Sequence, residues 1–149
     1  MKTLPYEGAT TGKAAVEEMR RILLGFGASS FGVMEDFANG LVIVQFEHRG
    51  RHVIVKASVR GYAAAWLREH PWSRRHRGTE IEHQRQAVNL ANVAVWSVLR
   101  DWIKVQVTAI EIGMLSFEGA FLGQILLPGG DTVLERITET KMLQLERGP

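Results

Sequence analysis

Three alternating runs joined by two tight turns constrain this chain more than any other feature. Phe31–Phe37 and Leu41–His48 are separated by Ala38-Asn39-Gly40, and Asn-Gly accepts the positive φ angles of a hairpin turn. Arg49-Gly50-Arg51 leads in the same way into His52–Val59. Successive side chains of an extended strand leave on opposite faces. Val42, Val44 and Phe46 therefore share an apolar face with Val53, Val55, Ala57 and Val59, while Gln45, Glu47, Lys56, Ser58 and Arg60 fall on the other. A three-stranded antiparallel meander with one apolar face needs helices to cover it.

The rest of the chain supplies candidates for that cover. Val16, Met19, Leu23 and Phe26 recur at helical spacing, predicting a helix from Gly12 to Phe26 with Thr10 or Thr11 as cap and Gly25 or Gly27 as stop. Thr79 and Glu82 have capping-box spacing and open a second, long helix. Its apolar residues advance mostly by threes and fours as Ile81, Val88, Ala91, Val95, Val98, Trp102, Val105, Ala109 and Ile112, with Ser97, Arg100, Asp101, Lys104, Thr108 and Glu111 opposite. Lys104–Ile112 also alternates like a strand, but the stripe continues in register to Gly113 and favours helix. A helix over 80–112 is roughly 50 Å long at ~1.5 Å per residue, more than a small sheet can bury. Ser116 caps a short helix to Leu122, and Thr132 with Glu135 opens a last one whose face carries Leu134, Ile137, Lys141 and Leu145. The predicted class is α+β in the order α-β-β-β-α-α: an N-terminal helix, a three-stranded antiparallel β-meander, a long covering helix and C-terminal helices.

The 149 residues suit a single domain, 1–149, with a basic flexible connection at about 61–78. With no cysteine in the chain, disulfides, thiolate metal sites and cysteine nucleophiles are excluded. The start, MKTLPYEGATTGK, has no apolar run of a secretory signal. The most apolar segment, Ala87–Ile112, is interrupted by Asn89, Asn92, Arg100, Asp101 and Lys104, so no membrane span is expected and the protein reads as soluble and cytoplasmic.

The net charge of +2 is unevenly distributed. Residues 47–85 hold nine basic and four acidic side chains and all five histidines, whereas the flanking thirds are slightly acidic. The sharpest concentration is Arg68–Gly78, REHPWSRRHRG. Cations for phosphates and flat rings for base stacking are what a single-strand binder needs, and the arginine fork engages two phosphate oxygens at once. The candidate nucleic-acid contacts are Arg68, Trp72, Arg74, Arg75 and Arg77, extended by Arg49, Arg51, Lys56, Arg60 and Arg85. Tyr62 and Trp66 are either further stacking rings or anchors of the crossover.

Catalytic and cofactor signals are weak by comparison. His48 and His52 flank the turn in HRGRH and would need further ligands to hold a metal. Gly25, Gly27 and Gly32 follow a helix and precede a strand, the reverse of a dinucleotide fingerprint. Glu35 and Asp36 leave a strand on opposite faces and cannot work as a pair. No catalytic residue, metal or cofactor is expected.

Two blocks carry a family resemblance. The opening YEGATTGKAAVEEMRRILLGFGASSFGV and the later MLSFEGAFLGQILLPGGDTVLERI resemble short proteins encoded in bacteriophage and prophage genomes. The matching positions are Tyr6, Glu7, Gly8, Gly27 and Ala28, then Phe117, Glu118, Phe121, Leu122, Leu127, Pro128, Gly130, Thr132 and Val133; Gly129-Gly130 stands where Asp-Gly is usual. The resemblance implies a phage or prophage origin and brings no established activity. The order of elements is also similar to the core of single-strand annealing proteins, an analogy of fold alone. The leading expectation is a non-enzymatic nucleic-acid-binding protein, a single-stranded DNA binding or annealing accessory. The alternative is a homo-oligomeric phage component or host-protein interaction module, assembled through the long helix 80–112.

Overall fold

The computed structural model describes residues 3–140. Its elements run α1 (Gly12–Phe26), β1 (Ser30–Asp36), β2 (Leu41–His48), β3 (Arg51–Ser58), α2 (Val59–Glu69), α3 (Glu80–Glu111), α4 (Phe117–Phe121) and α5 (Val133–Thr140). The fold is α+β, in the order the sequence predicts, with α2 added. The three strands form an antiparallel meander in the order β1-β2-β3. Cross-strand rows such as Phe31–Phe46–Val53 and Val33–Val44–Val55 build the apolar face that the alternation indicates. Val42, Val44, Phe46 and Val53 are fully buried on it.

Local chemistry sets the helix ends. Thr11 accepts from the amide of Ala14 at the start of α1, and Gly27 closes that helix at φ 100°. The predicted capping box opens α3: Thr79 Oγ1 accepts from the Glu82 amide, and the Glu82 carboxylate accepts from the Thr79 amide. Ser116 and Thr132 cap α4 and α5 likewise. The segment KVQVTAIE belongs to α3, so its alternation does not make it a strand. Lys141 and Leu145, assigned to the face of the last helix, lie outside the described residues.

The structure departs from expectation at α2. The sequence predicts a flexible connection from about residue 61, but Val59–Glu69 is helical, capped by Ser58, with Val59, Ala63 and Trp66 buried. A strand running straight into a helix offers no glycine or proline boundary, and Ser58 three residues before Gly61 is the signal that was there to read. Arg60 is thereby moved off the sheet onto the first turn of α2, where its Nη2 donates to the Ala38 carbonyl at 2.8 Å.

The buried face of α3 also differs from the predicted stripe. His83, Ala87, Ala91 and Ala94 bury its first half against α2, whereas Leu99, Ile103 and Val107 bury its second half. The two rows meet at Ala94–Ser97, four consecutive buried residues, so Ser97 is not on an exposed side. The second half runs alongside α1, with Trp96 against Gly12, and Arg100 and Lys104 pairing with Glu18. Five members of the predicted stripe consequently remain exposed: Ile81 (68%), Val88, Val98, Val105 (65%) and Ile112 (70%). A straight helix touching different partners at its two ends buries different faces there, which a single periodic stripe cannot represent.

These assignments make opposite forecasts for two aliphatic residues two positions apart. Ile103→Ala should cost about 2–5 kcal/mol in urea unfolding, as for a fully buried aliphatic side chain. Val105→Ala should change stability by no more than about 0.5 kcal/mol.

Candidate nucleic-acid interface

The basic connection is the loop of an αα-hairpin. α2 ends at His70, Pro71 prevents its continuation, and α3 begins after Thr79. The loop is tied at both ends. His83 Nε2 donates to the His70 carbonyl at 2.6 Å, and Trp72 Nε1 donates weakly to the Gly78 carbonyl at 3.4 Å. The Ser73 amide donates to His76 Nδ1, and the His76 ring lies 5.2 Å from that of His83. Gly78 sits at φ 90°, and a Cβ there would come within 2.4 Å of the Glu82 carboxylate that caps α3. Only glycine satisfies both the backbone angle and that approach.

Loop contacts therefore use Trp72, His76 and Gly78, while Arg74, Arg75 and Arg77 stay exposed. Arg68 joins them from the last turn of α2, where a cation also complements the helix C-terminus. Arg85 is exposed on α3 and lines a shallow cleft with Glu7 and Glu82. Among the described residues none of these five arginines makes an ion pair. Nearby acids are Glu69, Glu80 and Glu82, the last committed to the capping box.

Trp66 is not a stacking surface. It is buried, its Nε1 donates to Glu7 Oε1 at 3.1 Å, and it stacks on His70 at 4.5 Å. Tyr62 donates its hydroxyl proton to the Pro5 carbonyl at 2.6 Å. Both rings anchor the N-terminal segment, leaving Trp72 as the half-buried ring among the exposed arginines.

The other candidates lie elsewhere. Arg49 and Arg51 sit at the β2–β3 tip beside Ile110 and Glu111, the far end of α3. Since His83 contacts the loop and Ile110 lines the tip cleft, the two groups are about 40 Å apart at ~1.5 Å per residue. Arg51 pairs with Glu118 and lies over the Phe117 ring at 5.4 Å. Lys56 lies on the sheet face opposite Val55 and pairs with Glu135 of α5 at 3.1 Å. Of ten candidate residues the structure brings together Arg68, Trp72, Arg74, Arg75 and Arg77, with Arg85 nearby, and separates Arg49, Arg51, Lys56 and Arg60.

The two histidines of HRGRH diverge, because His48 is on the helix-covered face and His52 on the other. His52 Nε2 faces Gln45 Oε1 at 3.2 Å. His48 stacks on Phe26 at 4.2 Å and near-parallel to Phe117 at 5.3 Å, lining a cleft of about 570 Å³ with Arg49, Arg51 and Glu118. Among the described residues no group of three or more His, Asp or Glu converges to hold a metal, and no helix is long and apolar enough to cross a membrane.

Residues of the opening block and of the Phe117 block act as structural staples. Tyr6 donates to Asp101 Oδ2 at 2.5 Å, and Glu7 accepts from Trp66 and the Leu4 amide. Phe121 is fully buried edge-on against Phe46 and Trp102, and Glu118 holds Arg51. No known protein family, characterised protein or solved structure matches the chain.

Burial, and then the charges of Arg49 and Arg51, hold the His48 pKa below the usual histidine value. The folded state thus favours neutral His48, and that stabilisation is lost as pH falls from the unfolded value through the folded one. A His48→Phe variant should lose less stability than the wild type between pH 7.5 and 5, read from urea midpoints at the two pH values.

Proposed function

We propose that this chain is a non-enzymatic nucleic-acid-binding protein that holds a single strand on the α2–α3 loop. The observation that carries the reading is the set of Arg68, Arg74, Arg75 and Arg77, all exposed and without ion pairs among the described residues, around the half-buried ring of Trp72. The arginines would neutralise phosphates and Trp72 would stack on one base, a contact worth roughly 1–3 kcal/mol. Because the loop backbone is pinned by His83 and Gly78, the cations are offered from a defined site between two helices. Arg49, Arg51, Lys56 and Arg60 are outside that footprint. The resemblance of Tyr6-Glu7-Gly8 and the Phe117–Val133 block to phage and prophage proteins implies a phage or prophage origin and brings no activity of its own; the annealing-accessory role rests on the analogy of fold.

A second reading has its own observation. Val98, Val105 and Ile112 are exposed at seven-residue intervals along α3, the geometry of a seam for a partner helix. This favours an interaction module, either self-assembling or bound to a host protein.

Fluorescence anisotropy with labelled single- and double-stranded oligonucleotides tests the first reading. Four phosphate contacts give a slope of log affinity against log salt of about −3, at ~0.7 per contact on a single strand. Combined Arg74→Ala, Arg75→Ala and Arg77→Ala should abolish measurable binding at moderate salt and leave the urea midpoint unchanged. Arg49→Ala should alter affinity by less than about twofold. Undiminished affinity in the triple variant contradicts the proposal; no affinity in the wild type, with a stable complex with another protein, supports the second reading.

A further inference from the structure

Among the described residues the sheet has one covered edge and one open edge. At β3, Ile125 bridges Val53 and the Leu126 amide donates to the His52 carbonyl at 2.7 Å. Among the described residues β1 has a strand partner on its β2 side alone. Soluble proteins blunt such an edge with charged side chains, Pro, a bulge or a covering segment, and β1 carries charge only at its C-terminal end, as Glu35 and Asp36. β1, Ser30–Asp36 (SFGVMED), has no lysine or proline, and pairs one-to-one with β2 along its whole length. Val33 and Met34 are 40% and 54% exposed on it.

We infer that a second copy of this chain docks on the open edge of β1, the two β1 strands pairing antiparallel about Val33 to continue the sheet from one subunit into the next. Charge selects both occupant and register. The acids Glu35 and Asp36 stand at one end of β1. At the other end Arg20 of α1 lines a small cleft with Ser30 and Phe31. Pairing centred on Val33 sets Glu35 of each copy opposite Phe31 of the other, beside Arg20. Glu35 shares its face with Phe31 and Val33, the face that α1 lies on, so carboxylate and guanidinium meet on one side of the joined sheet. Neither Glu35 nor Arg20 has an ion pair among the described residues. Moving the centre to Glu35 would set like charges directly opposite, which is destabilising. On the other face, Met34 of each copy stands opposite Gly32 of its partner, where the absent side chain leaves room.

Sedimentation velocity on the full chain without nucleic acid, over a concentration series, tests this independently of the binding proposal. The wild type should form a dimer. Arg20→Glu and Glu35→Arg should each weaken it about tenfold or more by placing like charges together. The double variant Arg20→Glu with Glu35→Arg should restore the wild-type constant to within about twofold. Both side chains are exposed, so unchanged circular dichroism and urea midpoints will show that each variant is folded. Val105→Glu, on the exposed stripe of α3, should leave the dimer intact. A monomeric wild type, single charge reversals without effect, failure of the double variant to recover, or dissociation by Val105→Glu would each overturn the inference.

Discussion

Burial of α3 on two different faces is the constraint on which the rest of the structure depends. A 32-residue helix is longer than a three-stranded sheet, so no single partner can cover it. α2 covers the first half, where the buried residues of α3 include the small Ala87 and Ala91 and those of α2 include Ala63 and Trp66. α1, the sheet and α4 enclose the second half around Leu99, Ile103 and Phe121. This division sets the αα-hairpin at one end of the molecule and the β2–β3 tip at the other. The concentrated arginines follow the first, and Arg49 and Arg51 the second. The position of charge is thus a consequence of helix packing.

The N-terminal segment reinforces the same arrangement. Tyr6 adopts φ 68°, a conformation costly for a tyrosine, while its hydroxyl holds Asp101 on α3. Glu7 reaches α2 through Trp66 and His70. One short stretch therefore ties together the two helices whose loop carries the proposed site. Its Glu7 pKa is held below the usual carboxylate range, first by the Leu4 amide and also by Trp66 and His70. The YEG stretch and the Phe117 block accordingly hold the loop and the tip in place.

Much of this was legible in the residues. Turn chemistry located all three strands to within a residue, and capping patterns placed the starts of α1, α3, α4 and α5. What escaped was partly local, the Ser58 cap of α2, and partly tertiary. The helix α2 begins without a turn residue, and the buried face of α3 rotates because its partners change along its length. The charge cluster was visible as composition, with Arg68, Trp72, Arg74, Arg75 and Arg77 set apart as its densest part, yet nothing in the sequence placed the five outlying cations. Only the path of α3 shows that Arg49 and Arg51 lie about 40 Å from the loop. Trp66 and Tyr62 read as either stacking rings or anchors until their hydrogen bonds to Glu7 and Pro5 are seen.

Hydrogen exchange of the protein with and without a saturating single-stranded oligonucleotide tests the central claim most directly. The loop amides gain protection only if the strand lies against them. Added protection confined to peptides covering residues 68–79, with the hairpin tip at 49–51 unchanged, is the predicted result. Protection at the tip alone, or none anywhere under conditions of bound oligonucleotide, would contradict a binding site on the α2–α3 loop.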